Sequence, residues 1–445
     1  MGTVAPAIAL VFALSIAGCN DATGPARARS AFPVCPDCNL VLISLDTLRA
    51  DHVGTYGYDR PTTPAIDRLA QRSVVFERAI SQSSWTRPAH MSIMTGLYPS
   101  EHGVLPLSGR HRLADGVPTL ASVLRDNGYR TVAFTGGLNV AAVFGFDQGF
   151  DLYRANGRHV RDNLEEVRWW LDRNEATKFF LFLHGYEPHG PYIGDPMDRA
   201  AFDLDARPPQ KSFPRICKRG GPRKAMRAFV DEYDAAIRRG DRYVGKFLAE
   251  LEARGLMEKT VIVFTSDHGE EFLDHGGCFH LKALHRELLH VPLMITAPGA
   301  EPRRVKDLVP ASISIAPTLL ELAGIRDHGL GAASLTPALR GADVGVDAVV
   351  SETIRPPIDK RPRARLRALT TPRSKLVVEE PGPATFYDLI DDPLEQEPIA
   401  DSPETERLRK KLDTWIEAHP AREGNVGETE IPDELARDLE ALGYM

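Results

Sequence analysis

The stretch 259-KTVIVFTSDHGEEF-272 joins a run of β-branched and aromatic residues to a polar cluster. Val261, Ile262, Val263 and Phe264 are continuously apolar, the pattern of a parallel strand buried on both faces. The run gives way to Thr265-Ser266-Asp267-His268-Gly269-Glu270. Asp267 and His268 are therefore expected just past a strand's carboxyl end, where open α/β sheets place their ligands. Gly269 lets the chain turn there with no side chain in the way. The design recurs upstream in 39-NLVLISLDT-47, an apolar strand that delivers Asp46 to the same edge. Two acidic strand ends and an imidazole point to a divalent cation.

Outward from these strands the chain alternates strands and helices. Thr63 and Pro64 offer a cap and a first helical position for a helix buried through Ile66, Leu69 and Ala70. Residues 74–80 read as a strand, 118–126 as a helix stopped by Gly128, and 129–134 as the next strand. Residues 178–184 form a further apolar strand that exits into Gly-Tyr-Glu-Pro-His-Gly-Pro-Tyr. The proline-rich residues 196–222 read as a covering loop. Residues 223–254 carry apolar side chains at helical spacing, in one long helix or two in line. Residues 291–297 are expected to form a strand, and 314–323 a helix with Pro317 in its first turn. This order predicts an α/β sandwich with a mainly parallel central sheet over residues 39–352, ended by a strand at 348–352. Residues 353–445 read as a small C-terminal α+β subdomain and tail. Its antiparallel strands are expected within 367–380 and 384–392, with a helix at 405–417.

With 445 residues, 43% hydrophobic and 26% charged, the chain has ordinary globular composition. Disorder, coiled coil and polytopic membrane classes are excluded on that basis. A formal net charge of -7 leaves no basic footprint for nucleic acid, which is not expected as a partner.

Residues 4–17 form an apolar stretch too short for a membrane span, ending in Ile16-Ala17-Gly18-Cys19. This resembles the lipobox of bacterial lipoproteins. The resemblance implies a signal peptide over residues 1–18, lipidation of Cys19, a tether over 19–38, and a lipid-anchored protein of the bacterial cell envelope facing the periplasm or outer surface. Cys35, Cys38, Cys217 and Cys278 remain. Export makes disulfides the expectation, with the pairing open, and the spacing is not that of a zinc finger.

The segment 84-SWTRPAHMSIMTG-96 places Pro88 at the beginning of a helix and Thr86 at its entrance. Backbone N–H groups there can receive an anion, and metal coordination can turn a hydroxyl into a nucleophile. Together with NLVLISLDTLRADHVGTYGY, TTPAIDRLA, GFDQGFD, FLFLHGYEPHGPY, TSDHGEEFLDHG, HVPLMITAPG and FYDLIDDPLEQEP, this segment resembles the sulfatase family of the alkaline phosphatase superfamily, from about residue 39 to 392.

The resemblance implies that Asp46, Thr86, Asp267 and His268 hold one divalent ion. The imidazole favours Mn²⁺ or Zn²⁺, with Mg²⁺ and Ca²⁺ as alternatives. In the family signature, Cys or Ser becomes formylglycine; here Thr86 stands at that position, Ala89 at the signature Ser and His90 at the Arg. Threonine cannot yield formylglycine, so none is expected. A direct threonine nucleophile is similar to that of phosphodiesterase, phosphonate-hydrolase and phospho-group transferase relatives. Thr86, His90, His184 and His280 are the expected catalytic residues. Arg87, His189 and His275 are the expected substrate-binding residues, and Arg49 is a lesser candidate. The implied substrate is an anionic small-molecule, glycan or lipid-headgroup ester, either phosphodiester or phosphonate ahead of sulfate ester. A phospho-group transferase with the same site, in which an alcohol and not water resolves the intermediate, is one alternative; a noncatalytic anion-binding lipoprotein is the other, and intact metal ligands argue against it.

Overall fold

The computed structural model describes residues 1–2, 35–105, 110–155, 157–204, 217, 223–357, 362–399 and 402–441. All but the first two residues of the expected signal peptide, Cys19 with its expected lipidation, and nearly all of the tether lie outside these residues, as does most of the expected covering loop.

Eight strands build the large sheet: β1 (Asn39–Leu45), β2 (Val74–Ile80), β3 (Arg130–Phe134), β4 (Leu152–Arg154), β5 (Phe179–Gly185), β6 (Thr260–Thr265), β7 (Leu293–Thr296) and β8 (Arg303–Pro310). Their order is β8-β2-β7-β6-β1-β5-β3-β4. All pairs are parallel except those of β7, which runs against both β2 and β6. The edge strand β8 escapes sequence reading because Arg303, Arg304, Lys306 and Asp307 dilute its apolar pattern.

Every residue of β1, β5 and β6 is buried, as strands covered on both faces must be. Val41, Ile43 and Leu45 share a core with helices α1 (Pro64–Ala70), α4 (Val160–Asn174) and α5 (Arg223–Ala253). The 31-residue α5 is one continuous helix. Helices α2 (Thr86–Thr95), α3 (Leu120–Asp126) and α6 (Ala311–Leu322) pack against one another. Helix α6 begins earlier than expected, so Pro317 sits inside it and not in its first turn. Among the described residues, no helix is long and apolar enough to cross a membrane.

The strand expected to close the large sheet belongs elsewhere. β9 (Val349–Arg355) pairs with β10 (Ala364–Thr370) along seven residues, and β11 (Ser374–Glu380) and β12 (Ala384–Asp388) complete a four-stranded antiparallel sheet. Helix α7 (Pro403–Ala418) packs on it through Leu408 and Leu412. β9 also fastens this sheet to the segment ahead of α2, through Glu352 N–H to the Gln82 carbonyl (2.8 Å) and Ser351 Oγ to the Ser81 carbonyl (2.6 Å). Beyond α7 the chain returns to the main layer: residues Val426–Glu428 pair with His111–Leu113, and helix α8 (Asp433–Ala441) follows. Cys35 is bonded to Cys38, and Cys217 to Cys278.

Candidate active site

Adjacent parallel strands deliver the site. β1 lies between β5 and β6 in register, with Ser44 opposite both His184 and Thr265. Asp46 and Asp267 each lie two residues further on, so neighbouring strand ends bring both carboxylates together. Both are fully buried, and Asp46, Asp267 and His268 present ligand atoms within 4.8 Å of one another.

Two buried carboxylates side by side are unfavourable without compensating positive charge. Among the described residues, Asp46 Oδ1 and Oδ2 and Asp267 Oδ2 have no well-formed hydrogen bond. Burial, then the charges of Asp267 and Glu270, hold the Asp46 pKa well above the ordinary carboxylate range. Asp267 responds oppositely: burial opposes its ionisation, but the imidazoles of His268, His90 and His184 hold its pKa low. Its Oδ1 accepts the Thr47 N–H at 3.2 Å, and Thr47 takes a left-handed backbone (φ 61°) at that turn. His268 donates Nδ1–H to the Gly269 carbonyl (2.9 Å), leaving the Nε2 lone pair toward Thr86 Oγ1 and Asp267 Oδ2, each at 3.3 Å. This buried oxygen and nitrogen set fits a divalent cation of borderline softness.

Thr86 is the first residue of α2, after the extended Trp85. Its buried hydroxyl stands at the end of the helix whose N–H groups are open to an anion. The His280 loop is tied to this segment by Leu281 N–H to the Ser84 carbonyl (3.0 Å). His280 donates Nδ1–H to Glu270 Oε1 (3.0 Å), and its ring lies 4.5 Å from that of His268. Tyr192 O–H fixes the other Glu270 oxygen at 3.1 Å. Burial pushes the His280 pKa down to about 4 and that of Glu270 up to about 6.

On the other side, Gly136 N–H donates to His184 Nδ1 (3.2 Å), so the ring proton resides on Nε2. That Nε2 lies 3.7 Å from Asp46 Oδ2. Burial, then the neighbouring His90, hold the His184 pKa well below its ordinary value. His189 packs edge-on against His280 and Tyr186, with Nδ1 donating to the Gly190 carbonyl at 2.7 Å.

Four expected site residues, Arg49 the lesser candidate among them, make other contacts. His90 is buried with both ring nitrogens engaged: Ser44 Oγ donates to Nε2 (3.0 Å), while Nδ1 faces the Thr86 carbonyl (3.1 Å) and Asp267 Oδ2 (3.3 Å). It positions Asp267 and the helix entrance; a chemical role in turnover would need a free nitrogen. Arg87 is buried with its guanidinium 3.5 Å from the Phe144 ring centroid and donating to Asn139 Oδ1 (3.1 Å). His275 belongs to a separate cluster with Glu271 and Glu287. Its Nδ1 contacts Glu287 Oε1 (2.9 Å), its Nε2 the Glu395 carbonyl (2.7 Å), and its ring stacks on His285. Arg49 is an ion-pair partner of Asp51 and Asp274. Glu270, Tyr192, Ser44 and Gly136 escape sequence reading; only Glu270, three residues past Asp267, carried a visible signal.

The sulfatase family profile matches residues 38–325. An ulvan-active sulfatase of Formosa agariphila is 26% identical over 457 aligned positions, covering 94% of this chain and 87% of that protein. A multifunctional alkaline phosphatase superfamily protein of Trinickia caryophylli is 25% identical, with 86% and 96% covered. The phosphonate monoester hydrolase structure of Agrobacterium radiobacter shares the fold at a TM-score of 0.71 and 21% identity, over 89% of this chain and 100% of that one.

Proposed function

Because the chain belongs to the sulfatase family and is an ester hydrolase acting on sulfate or phosphate esters, we propose that it uses Thr86 as a covalent nucleophile on phosphodiester or phosphonate monoester substrates. The single observation that carries this reading is the Thr86 hydroxyl, 3.3 Å from His268 Nε2 at the entrance of α2. Asp46, Asp267, His268 and the Thr86 oxygen would hold a divalent ion, which when bound would lower the hydroxyl pKa and offset charge on the transferring group.

The chain's own residues supply the rest. Thr86 Oγ1 attacks phosphorus in its ionised form, while His280, protonated and held through Nδ1 by Glu270, gives a proton to the alcohol departing on the opposite side, leaving a threonyl phosphoester. Water then attacks phosphorus from that same opposite side and gives its proton to His280 as the Thr86 oxygen leaves ionised, which restores both groups. His184, protonated on Nε2, donates to an outer oxygen, and the N–H groups of α2 hold another.

Threonine has one hydroxyl, so its ester must be resolved by attack at the transferred centre. That limitation favours phosphorus over sulfur. The ulvan-active sulfatase relative favours the second reading, hydrolysis of a sulfate ester on a glycan. Steady-state rates on matched phosphodiester, phosphonate monoester and sulfate ester substrates decide between them: turnover of the sulfate ester alone overturns the phosphorus assignment. Export and a lipid anchor through Cys19 complete the proposal, supported by the apolar leader ending in Ile-Ala-Gly-Cys.

A further inference from the structure

A cavity of about 450 Å³ lies beside the site, lined among others by Gly136, Gly137, Leu138, Arg158, Leu435 and Asp438. It is joined to the site through backbone. Gly136, which orients His184, is packed so closely that a Cβ would lie 2.9 Å from the Arg158 carbonyl oxygen and closer still to the Tyr186 ring. That carbonyl accepts the Tyr186 N–H at 3.0 Å. Arg158 is therefore anchored two residues past His184, with its side chain in the cavity wall.

Among the described residues, the Arg158 guanidinium makes no hydrogen bond or ion pair. Glu434 and Asp438 of α8 face the same cavity, but both are exposed, so solvent screens them. None of the ligand cluster Asp46, Asp267 and His268 lines the cavity. A group bound there is thus distinct from the one that reacts at Thr86.

We propose that Arg158 is a specificity-determining residue that binds a second oxyanion, a carboxylate, sulfate or phosphate, carried by the ester substrate away from its reacting centre. Arginine suits this task through its planar fork of donors. The inference rests on the proposed ester chemistry at Thr86, and its test separates the two.

Metal-loaded wild type, Arg158→Ala and Arg158→Lys are titrated calorimetrically with phenylphosphonate and para-carboxyphenylphosphonate, so no turnover is needed. Wild type is expected to bind the carboxylated ligand about tenfold more tightly, the size of one charge-assisted contact. Arg158→Ala should bind both ligands equally and as tightly as wild type binds phenylphosphonate; Arg158→Lys should keep part of the preference. Equal binding of the two ligands by wild type, or equal weakening of both by Arg158→Ala, overturns the inference while leaving the ester chemistry intact. If Asp438→Asn reproduces Arg158→Ala, Arg158 is a tie to α8 and the inference falls. Failure of wild type to bind either ligand overturns it together with the reading of the site.

Discussion

The Thr86 hydroxyl and His268 Nε2 stand 3.3 Å apart, although they come from a helix entrance and a strand end separated by 182 residues. Each is fully buried, and the second nitrogen of His268 is tied to its own chain at Gly269. A hydroxyl so placed is held for reaction at a fixed point.

Thr86→Ala should lower kcat by a thousandfold or more, roughly 4 kcal/mol of barrier, while substrate still binds. Thr86→Ser restores a hydroxyl and should retain part of the rate. Rapid-quench trapping of a covalent adduct in wild type, absent in Thr86→Ala, is the check; wild-type turnover by Thr86→Ala removes the covalent mechanism.

Asp267→Asn should lose most bound metal and nearly all turnover with the fold intact. Asp46→Asn should likewise lose metal. In chelator it should also raise the melting temperature, because it removes one of two adjacent buried charges, a change worth about 1–3 kcal/mol. Elemental analysis and thermal melts with and without chelator test both. Full metal retention by Asp267→Asn, or two ions per wild-type chain, contradicts the assigned ligand set.

A pH effect is expected at the seam with the C-terminal sheet. Burial opposes protonation of His275, but its contact with Glu287 and the nearby Glu395 raise its pKa from 6.5 to about 9. A raised histidine pKa stabilises the folded state fully below pH 6.5, and that contribution fades as pH rises through about 9. Because His275 is partly exposed, screening reduces the effect to about 1–2 kcal/mol. His275→Gln should flatten the wild-type fall in stability between these pH values, measured by denaturant unfolding; an unchanged slope rules out His275 as its source.

Replacing Cys19 with Ser should abolish lipidation and processing at that position. Mass spectrometry of the mature N-terminus and membrane fractionation decide it, and an unmodified Cys19 inside a retained leader refutes the anchor.

Much of this is legible along the chain. The apolar runs ahead of Asp46, His184 and Asp267 announce three strands, and the structure sets them side by side as β1, β5 and β6. β8 is hidden by its charges, and β9 is assigned to the wrong sheet because an isolated apolar strand does not name its partner. The histidines mislead for a similar reason. His275 and His280 are five residues apart, yet the turn between them sends one to Glu287 and the other to Glu270.

By itself, the sequence determined the α/β class, the strand-end positions of Asp46, His184 and Asp267, and a hydroxyl at a helix entrance. These follow from periodicity and turn chemistry, which act over a few residues. Tertiary structure alone decided which partner the Nδ1 of His184, His268 and His280 takes, that Arg87 lies on Phe144, that His90 braces Asp267, and that Arg158 lines a cavity beside the site. Those outcomes depend on contacts between distant segments, where a buried polar group takes whichever partner the packed layers bring within hydrogen-bond distance.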